Sequence, residues 1–176
     1  MEKRVLMAAA DIDLAIHRIG LQILEKQQTG SKLAIVGIHT CGVHVASRLY
    51  RVICNQVGAD LPFGTLDINL YRDDWSLTSQ NPVVRMTDIP FDVDNTDVVL
   101  VDDVVFTGRT IRAAMDAIMD YGRPNTIQLA ALVDRGGREL PIQPDYVGLV
   151  TGILDRGRIN VVLSAEETGG EVIVEG

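Results

Sequence analysis

The chain has 176 residues, of which 47% are hydrophobic and 23% charged, and its formal net charge is −8. This length predicts one globular domain over residues 1–176 that buries roughly 70% of the surface of its unfolded chain and folds without disulfides. The negative charge excludes a uniformly basic nucleic-acid-binding surface but leaves room for a local basic patch.

Cysteine usage and targeting signals bear on the compartment. Cys41 and Cys54 are the two cysteines, and they form no CxxC pattern. The N-terminus has no basic-then-apolar signal of adequate length, and no apolar run approaches the roughly 18 residues of a membrane span. The sequence therefore predicts a cytoplasmic protein with no membrane partner.

The first predicted elements, in chain order, are helix, strand, helix and strand. Asp11 is predicted to cap a helix whose apolar residues recur every three or four positions up to Gly30. Residues 32–38, KLAIVGI, predict a strand, and a tight loop then leads into a helix that stops at Gly58. Residues 65–72, TLDINLYR, alternate apolar and polar side chains and predict a strand at an edge or mixed position of the sheet.

The second half begins with residues 73–97, where apolar periodicity fails, and a connection of this length predicts a functional lid. VVLV, residues 98–101, predicts a buried central strand, followed by a helix that ends near Gly122. The runs TIQLAALV, YVGLV, INVVL and EVIVE predict four further strands. Strands separated by helices favour a mostly parallel sheet that helices cover on both faces.

The stretch VVLVDDVVFTGRT, residues 98–110, is the strongest chemical signal. Ligands of open α/β sheets bind beyond the carboxyl ends of the strands, where Asp102 and Asp103 fall. Residues 107–110 add backbone N–H groups, hydroxyls and a helix N-terminus, which together bind phosphate, and Gly108 permits close approach of the backbone. Two carboxylates beside a phosphate require hydroxyls or a divalent cation in the same ligand, so a sugar phosphate with magnesium is predicted.

Other interpretations of these motifs are open to the same residues. Asp102 and Asp103 could simply end a strand, and Thr107 could simply cap a helix. A nucleoside-triphosphate P-loop and a Rossmann dinucleotide site are disfavoured, because the chain has neither GxxxxGK[ST] nor GxGxxG after a strand. His39 and Cys41 could imitate a thiol–histidine pair, but no acidic third member is indicated.

VLVDDVVFTGRT resembles the phosphoribosyl-pyrophosphate (PRPP) signature of type I phosphoribosyltransferases. Together with LYRDD, MDAIMDYGRPNTIQLAALVDRGGRELPI and DYVG, it resembles the PyrR family more narrowly, over most of the chain from Asp11 to about Gly148. The resemblance implies the α/β fold of type I phosphoribosyltransferases, with a mostly parallel central sheet flanked by helices. It also implies a lid at about 73–97 and a small hood built from residues 135–176 and the N-terminal segment.

The resemblance further implies an activity and its residues. Uracil would displace pyrophosphate from PRPP to give UMP, with Mg²⁺ held through PRPP rather than directly by the protein. UMP would promote binding to a pyr mRNA leader and so regulate pyrimidine operon expression by transcription attenuation.

The implied catalytic residues are Asp103, Asp102 and Arg72, with Arg85 as an alternative cation. The implied PRPP-binding residues are Thr40, Cys41, Asp102, Asp103, Val105, Thr107, Gly108, Arg109 and Thr110. Arg135 and Val133 are assigned to the base, Arg18 and Arg138 to RNA, and a homo-oligomer of two or more chains is expected.

Three departures from the family pattern qualify this expectation. Cys41 stands where the family usually has the arginine of a TRG turn that meets pyrophosphate, which should weaken binding by about 1.5–3 kcal/mol. Leu149 follows DYVG where a lysine is common, and Gly137 stands where histidine is common near the proposed RNA contacts. Two alternatives therefore stay open: a non-catalytic nucleotide-sensing RNA-binding regulator, and a phosphoribosyltransferase for another base, since nothing in residues 98–110 reads the base.

Overall fold

The computed structural model describes residues 3–73, 86–152, 157–163 and 169–176. These residues form eight strands and three helices. In chain order they are β1 (Lys3–Met7), α1 (Ala9–Lys26), β2 (Lys32–Ile38), α2 (Cys41–Val57), β3 (Phe63–Leu66), a 3₁₀ turn (Asn69–Tyr71), β4 (Thr96–Val105), α3 (Arg109–Met119), β5 (Thr126–Asp134), β6 (Tyr146–Val150), β7 (Arg158–Val162) and β8 (Glu171–Glu175).

The larger sheet has five strands in the order β3-β2-β4-β5-β6, and every neighbouring pair is parallel. Val98–Val101 of β4 are fully buried, as expected of a central strand covered on both faces. β3 lies at an edge, as its alternating pattern predicted. The predicted α/β class with a mostly parallel sheet is confirmed.

The two faces of this sheet carry separate hydrophobic clusters. One face packs against α1 and α2, and residues of β7 and β8 join the same cluster. The other face packs against α3, with Ile68 and Val93 in the cluster. Alternate residues of β2, β4 and β5 point to opposite faces, so both clusters share the same strands. This arrangement brings the carboxyl ends of the parallel strands to one edge.

A second, antiparallel sheet has the order β1-β8-β7 and lies within the segments assigned to the hood. The hood itself stays a prediction. The first strand of this sheet, β1, is absent from the predicted elements, which begin with the helix near Asp11. The exposed apolar–charged mixture of β1 carries little period-2 signal, and its strand conformation depends on pairing with β8, helped by a Lys3–Glu171 ion pair of 3.0 Å. The division of the chain into a single domain with these boundaries stays a prediction.

Local predictions differ from the structure in three places. Asp11 is not the helix cap: α1 begins two residues earlier, and Asp11 accepts a hydrogen bond of 2.9 Å from the main-chain N–H of Ala8. The same helix ends at Lys26, four residues before the predicted stop at Gly30. Residues 65–72 form only the end of β3 and then a 3₁₀ turn, because a main-chain N–H bond to the Asp67 carboxylate turns the chain at Asn69.

The predicted lid lies partly outside the described residues, and so does Arg85. Of residues 73–97, the structure describes residue 73 and residues 86–97, and the second part is attached to the sheet. Asp88 and Thr65 exchange two main-chain hydrogen bonds of 2.8 Å, and β4 already begins at Thr96, so the lid boundary at residue 97 is wrong. Within the part of the chain that the structure describes, no helix is both long and apolar enough to cross a bilayer.

Candidate active site

Two adjacent carboxylates lie near the carboxyl end of the central strand. Asp102 is 6% exposed, and its Oδ1 accepts a hydrogen bond of 3.0 Å from the main-chain N–H of Asp103. Burial, and then the neighbouring Asp103 carboxylate, raise the pKa of Asp102 well above its ordinary value. Asp103 is half-buried and therefore the more accessible of the two. The pair combines a carboxylate that water reaches poorly with one that a ligand can meet directly.

The loop after β4 has the conformation of an anion cradle. Gly108 adopts a φ of +90°, a left-handed conformation that favours glycine, and α3 begins at the next residue. The main-chain N–H of Arg109 donates to Oγ1 of Thr107 at 3.3 Å, so the start of the helix faces the same loop. A cavity of about 130 Å³ lies here, lined by Asp102, Val104, Val105, Phe106, Thr107, Gly108, Thr110 and Ile111. Because helix N-termini and main-chain N–H groups bind anions, this cavity fits a phosphate group.

The turn between β2 and α2 packs directly against the carboxylate pair. A Cβ added to Gly42 would lie 2.7 Å from the carbonyl oxygen of Val101 and 3.1 Å from Oδ1 of Asp102. Thr40 precedes α2 and is exposed, Cys41 opens the helix and is half-buried, and the His39–Thr40 peptide bond is cis. The structure thus brings Thr40 and Cys41 to the same edge as Asp102 and Asp103, as the sequence predicted.

Residues 134–142, the backing segment, lie behind the loop after β4. The main-chain N–H groups of Glu139 and Leu140 both donate to the carbonyl oxygen of Thr107, at 2.9 and 3.2 Å. Arg138 donates to the carbonyl oxygens of Phe106 and Ile142, each at 2.8 Å. These bonds fix the carbonyl oxygens of Phe106 and Thr107 against the backing segment.

The Arg109 side chain makes contacts of its own. Its Nε donates to Oε2 of Glu139 at 2.6 Å, and its Nη1 contacts a carboxylate oxygen of Asp73. These two carboxylates raise the pKa of the Arg109 guanidinium, Glu139 more than Asp73. Arg72 is half-buried and precedes Asp73 in the chain, so it lies near this cluster. The catalytic role of Arg72 stays a prediction.

The two residues assigned to the base have different surroundings. Val133 is fully buried in the core that faces α1 and α2, so its side chain cannot contact a ligand, and that assignment is wrong for the side chain. Arg135 lies over the ring of Phe106, with Cζ 4.3 Å from the ring centroid, and its main-chain N–H donates to Val105. Val105 is itself buried, and its role in PRPP binding stays a prediction. Arg135 therefore borders the loop after β4, and a role in base binding stays a prediction.

The two arginines assigned to RNA both make internal contacts. Arg18, an exposed residue of α1, donates to the carbonyl oxygens of Val147 and Gly148 in the edge strand β6, at 3.0 and 2.6 Å. The Arg138 side chain is only 13% exposed and forms a 2.7 Å ion pair with Asp134. Arg138 thus joins the two ends of the backing segment, Asp134 and Ile142, which favours a structural role. Contact of either arginine with RNA stays a prediction.

Sequence reasoning missed three residues that shape the site: Glu139, Phe106 and Gly42. Glu139 is distant in sequence from its partners, and no spacing rule links residues 73, 109 and 139. Phe106 lies inside the predicted motif, but its stacking with Arg135 depends on the path of the backing segment. Gly42 could have been suspected from a glycine between a strand end and a helix, a signal of close backbone approach.

The acidic groups do not by themselves form a metal centre. Among the described residues, no group of three or more histidine, cysteine, aspartate or glutamate side chains is arranged to hold a metal ion. Asp102 and Asp103 are the acidic residues that lie at the carboxyl end of the central strand. Their oxygen donors suit magnesium, which favours oxygen ligands beside phosphates.

Comparison with known proteins agrees with this geometry. Residues 8–167 match the family model described as the phosphoribosyl transferase domain. The chain is 49% identical to the bifunctional protein PyrR of Syntrophobacter fumaroxidans, over 98% of this chain and 92% of that protein. It is 46% identical to the bifunctional protein PyrR of Deinococcus radiodurans, over 98% of this chain and 93% of that protein.

Solved structures give the same fold at lower identity. A hypoxanthine phosphoribosyltransferase from Staphylococcus aureus in an orthorhombic crystal form superposes with a TM-score of 0.67 at 22% identity, covering 89% of this chain and 80% of that one. The hypoxanthine phosphoribosyltransferase of Trypanosoma cruzi gives 0.66 at 16% identity, covering 89% and 84%. At these identities the likeness shows the fold alone.

Proposed function

Because the chain belongs to the phosphoribosyltransferase family and, within it, to the PyrR proteins, we propose that it transfers the ribose 5-phosphate of PRPP to uracil. The products are UMP and pyrophosphate. One observation carries this proposal: the Asp102–Asp103 pair, the loop of residues 106–109 and the turn at Gly42 meet at one edge of the parallel sheet. A sugar flanked by a 5′-phosphate and a pyrophosphate is the ligand whose parts match these three elements.

Each element has a distinct task in this reaction. The N–H groups after Phe106 and the hydroxyls of Thr107 and Thr110 hold the 5′-phosphate. Asp103, with Asp102 behind it, accepts hydrogen bonds from the ribose hydroxyls. This fixes the anomeric carbon while the glycosidic bond to pyrophosphate breaks and positive charge develops on the ring. Carboxylates beside a developing oxocarbenium stabilise that charge and so lower the barrier.

Pyrophosphate is the leaving group, and its charge must be neutralised as it departs. Magnesium enters as a complex with PRPP, and when bound it stabilises the charge on the departing pyrophosphate. The main-chain N–H groups at the N-terminus of α2 lie beside Asp102 and are the protein's own contribution on this side. Cys41 adds no positive charge there, so we expect PRPP to bind less tightly than it would to a chain with arginine at this position.

The second part of the proposal is regulatory. With UMP bound, the protein retains a pyr mRNA leader and so acts in transcription attenuation, as a homo-oligomer in the cytoplasm. A basic patch of limited size is compatible with a net charge of −8, because RNA affinity depends on local phosphate contacts. Release of Arg18 from the carbonyl oxygens of β6 would supply one such contact.

The alternative function is a nucleotide-sensing RNA-binding regulator without catalysis. Cys41 is the observation that favours it, because the phosphate loop and carboxylates are intact while the pyrophosphate side lacks its usual cation. Both functions require binding of ribose phosphates, and only the first requires release of pyrophosphate.

The test supplies PRPP and magnesium with uracil, guanine, hypoxanthine or orotate in separate reactions and measures pyrophosphate release. Turnover with uracil alone supports the proposal. Turnover with another base would mean that this base, and not uracil, is the substrate. No turnover with any base would leave only the sensor function.

For regulation, retention of a pyr leader RNA is measured with and without UMP. Its absence even at low salt, where phosphate contacts are strongest, would contradict the RNA-binding part.

A further inference from the structure

The guanidinium of Arg109 lies between two carboxylates rather than toward the phosphate cradle. The Nε of the guanidinium donates to the Glu139 carboxylate at 2.6 Å, while its Nη1 contacts the Asp73 carboxylate. The two carboxylates therefore bind different edges of the guanidinium. The main-chain N–H of the same residue instead faces the loop, where it donates to Oγ1 of Thr107. Arg109 therefore presents its backbone to the cradle and its side chain to the acidic residues outside it.

Glu139 is fixed at this place by its backbone as well. Its main-chain N–H donates to the carbonyl oxygen of Thr107, so the residue is joined to the loop at two points. Leu140 donates to the same oxygen and, with Ile142, packs against Gly108. Because Glu139 is bonded to this loop, its carboxylate should move together with the loop.

The electrostatics of this cluster matter for an anionic ligand. Asp73 and Glu139 add two negative charges next to a loop that must accept a phosphate dianion, and Asp102 and Asp103 are already nearby. One guanidinium in contact with both carboxylates offsets one of their two negative charges and so weakens their field at the cradle. The three side chains are 39–51% exposed, so water screens them and their contribution to folding stability is small.

We propose that Arg109 acts on PRPP as a positioning residue, through Glu139 and Asp73, and that Glu139 is its main partner. This inference rests on the proposed function, because it concerns the ligand of the same loop. The guanidinium shields the cradle from the two carboxylates and joins the backing segment to the loop, whereas the bonds to the phosphate come from N–H groups and hydroxyls. A guanidinium that instead bound phosphate directly would have no need of Glu139.

A double-mutant cycle separates the two possibilities. The proteins are the wild type, Arg109→Ala, Glu139→Gln and the double variant, and the probe is ribose 5-phosphate titrated by calorimetry without base or metal. We expect Arg109→Ala to weaken binding by roughly tenfold or more, because two carboxylates lose their counter-ion. Glu139→Gln alone should change binding less than about threefold, because Arg109 keeps its contact with Asp73 and water screens the exposed pair. In the Arg109→Ala background the same change should restore most of the lost affinity.

Coupling between the two substitutions supports the proposal, and additive effects overturn it. No loss of affinity in Arg109→Ala would also overturn it. The matched control is Arg112→Ala, which removes an arginine of the same helix, 45% exposed and paired with Asp116 at 2.8 Å, and should leave binding unchanged. The KM for PRPP should follow the same pattern as the affinities while kcat at saturating PRPP stays nearly constant.

The outcomes for this proposal and for the transferase function remain distinguishable. Coupling in a wild-type protein that makes no UMP would contradict the transferase and support the role of Arg109. Additive effects in a protein that makes UMP would support the transferase function and contradict the role of Arg109. A wild type that does not bind ribose 5-phosphate would overturn both.

Discussion

Gly42 and Asp102 are in direct contact: a Cβ at position 42 would lie 3.0 Å from Cα of Asp102 and 3.1 Å from its Oδ1. This close approach joins the turn after β2 to the carboxylates of β4. It is the reason that residues sixty positions apart in sequence can act on the same ligand.

Gly42→Ala should therefore impair both stability and activity. The added methyl group also meets the carbonyl oxygen of Val101 at 2.7 Å, and neither backbone atom can retreat easily. We expect a loss of about 1–3 kcal/mol in the free energy of unfolding and roughly 100-fold in kcat/KM for PRPP, because the turn and the carboxylates separate. Denaturant unfolding and steady-state kinetics measure these effects. Gly152→Ala, at a position with open space around it, is the control, and equal effects from both would contradict the explanation.

Cys41→Arg should strengthen the pyrophosphate side of the site. A cation at the start of α2 would gain a charged hydrogen bond to the leaving group, worth about 1.5–3 kcal/mol and hence roughly 10- to 100-fold in kcat/KM for PRPP. Cys41→Ala separates loss of the thiol from gain of the charge and should not raise turnover. If arginine and alanine gave the same rates, the missing cation would not be what limits this protein.

Asp102→Asn should increase stability while it abolishes most activity. Burial and Asp103 raise the pKa of Asp102 in the folded state. Its contribution to stability is therefore fully present below the unfolded pKa and is lost as the pH rises through the folded pKa. Removing the ionisable group should raise the free energy of unfolding at pH 7, with a difference from wild type that shrinks toward pH 4. We expect turnover to fall by about 100-fold or more. A stability difference that does not vary with pH would contradict the assignment.

Asp97 has the opposite pH dependence and lies at the other end of β4. Burial raises its pKa, but hydrogen bonds from Asn125, Ser31, Thr126 and Gln27 outweigh burial and leave the pKa below its ordinary value. The stabilisation is present above the unfolded pKa and is lost as the pH falls through the folded pKa. Asp97→Asn should lower the free energy of unfolding by about 1–3 kcal/mol at pH 7, and the difference from wild type should shrink as the pH falls through the folded pKa.

The KM for PRPP should not change in Asp97→Asn, because the residue lies at the edge of the sheet opposite the phosphate loop. Asp116→Asn is the matched control for removal of a surface charge: Asp116 is 41% exposed, and the change should alter stability by less than about 0.5 kcal/mol. A change in KM comparable to that of a phosphate-loop variant would contradict the placement of Asp97 outside the site.

Gly137→His should displace Phe106 and destabilise the backing segment. Gly137 has a φ of +73°, and a Cβ there would overlap Cε2 of Phe106. We expect a loss of about 1–3 kcal/mol, of which a part returns in the double variant Gly137→His/Phe106→Ala, because the second change removes the clash. Thermal or denaturant unfolding of the two variants and of Phe106→Ala measures this relief. Absence of any relief would show that the backbone conformation, and not Phe106, excludes histidine.

Much of the fold and of the chemistry follows from local sequence pattern. Val98–Val101 are apolar without interruption and are buried on both faces, so composition alone identifies the central strand. Gly108, between two carboxylates and a helix, indicates the phosphate loop because only a few residue types tolerate its backbone conformation. Hydrophobic periodicity and backbone conformational preference depend on residues that are close in sequence. They can therefore be recognised from the sequence alone.

Tertiary structure decided the features that depend on distant residues meeting. β1 is a strand because β8 pairs with it, Val133 faces the core because of its register in β5, and Glu139 reaches Arg109 because residues 134–142 pass behind the loop. Side-chain direction and ion pairing between segments depend on packing, which no spacing rule encodes. The sequence by itself determined the central strand, the carboxylate pair at its end and the glycine-containing loop that follows, and the folded chain decided which side chains hold that loop in place and which are buried away from its cavity.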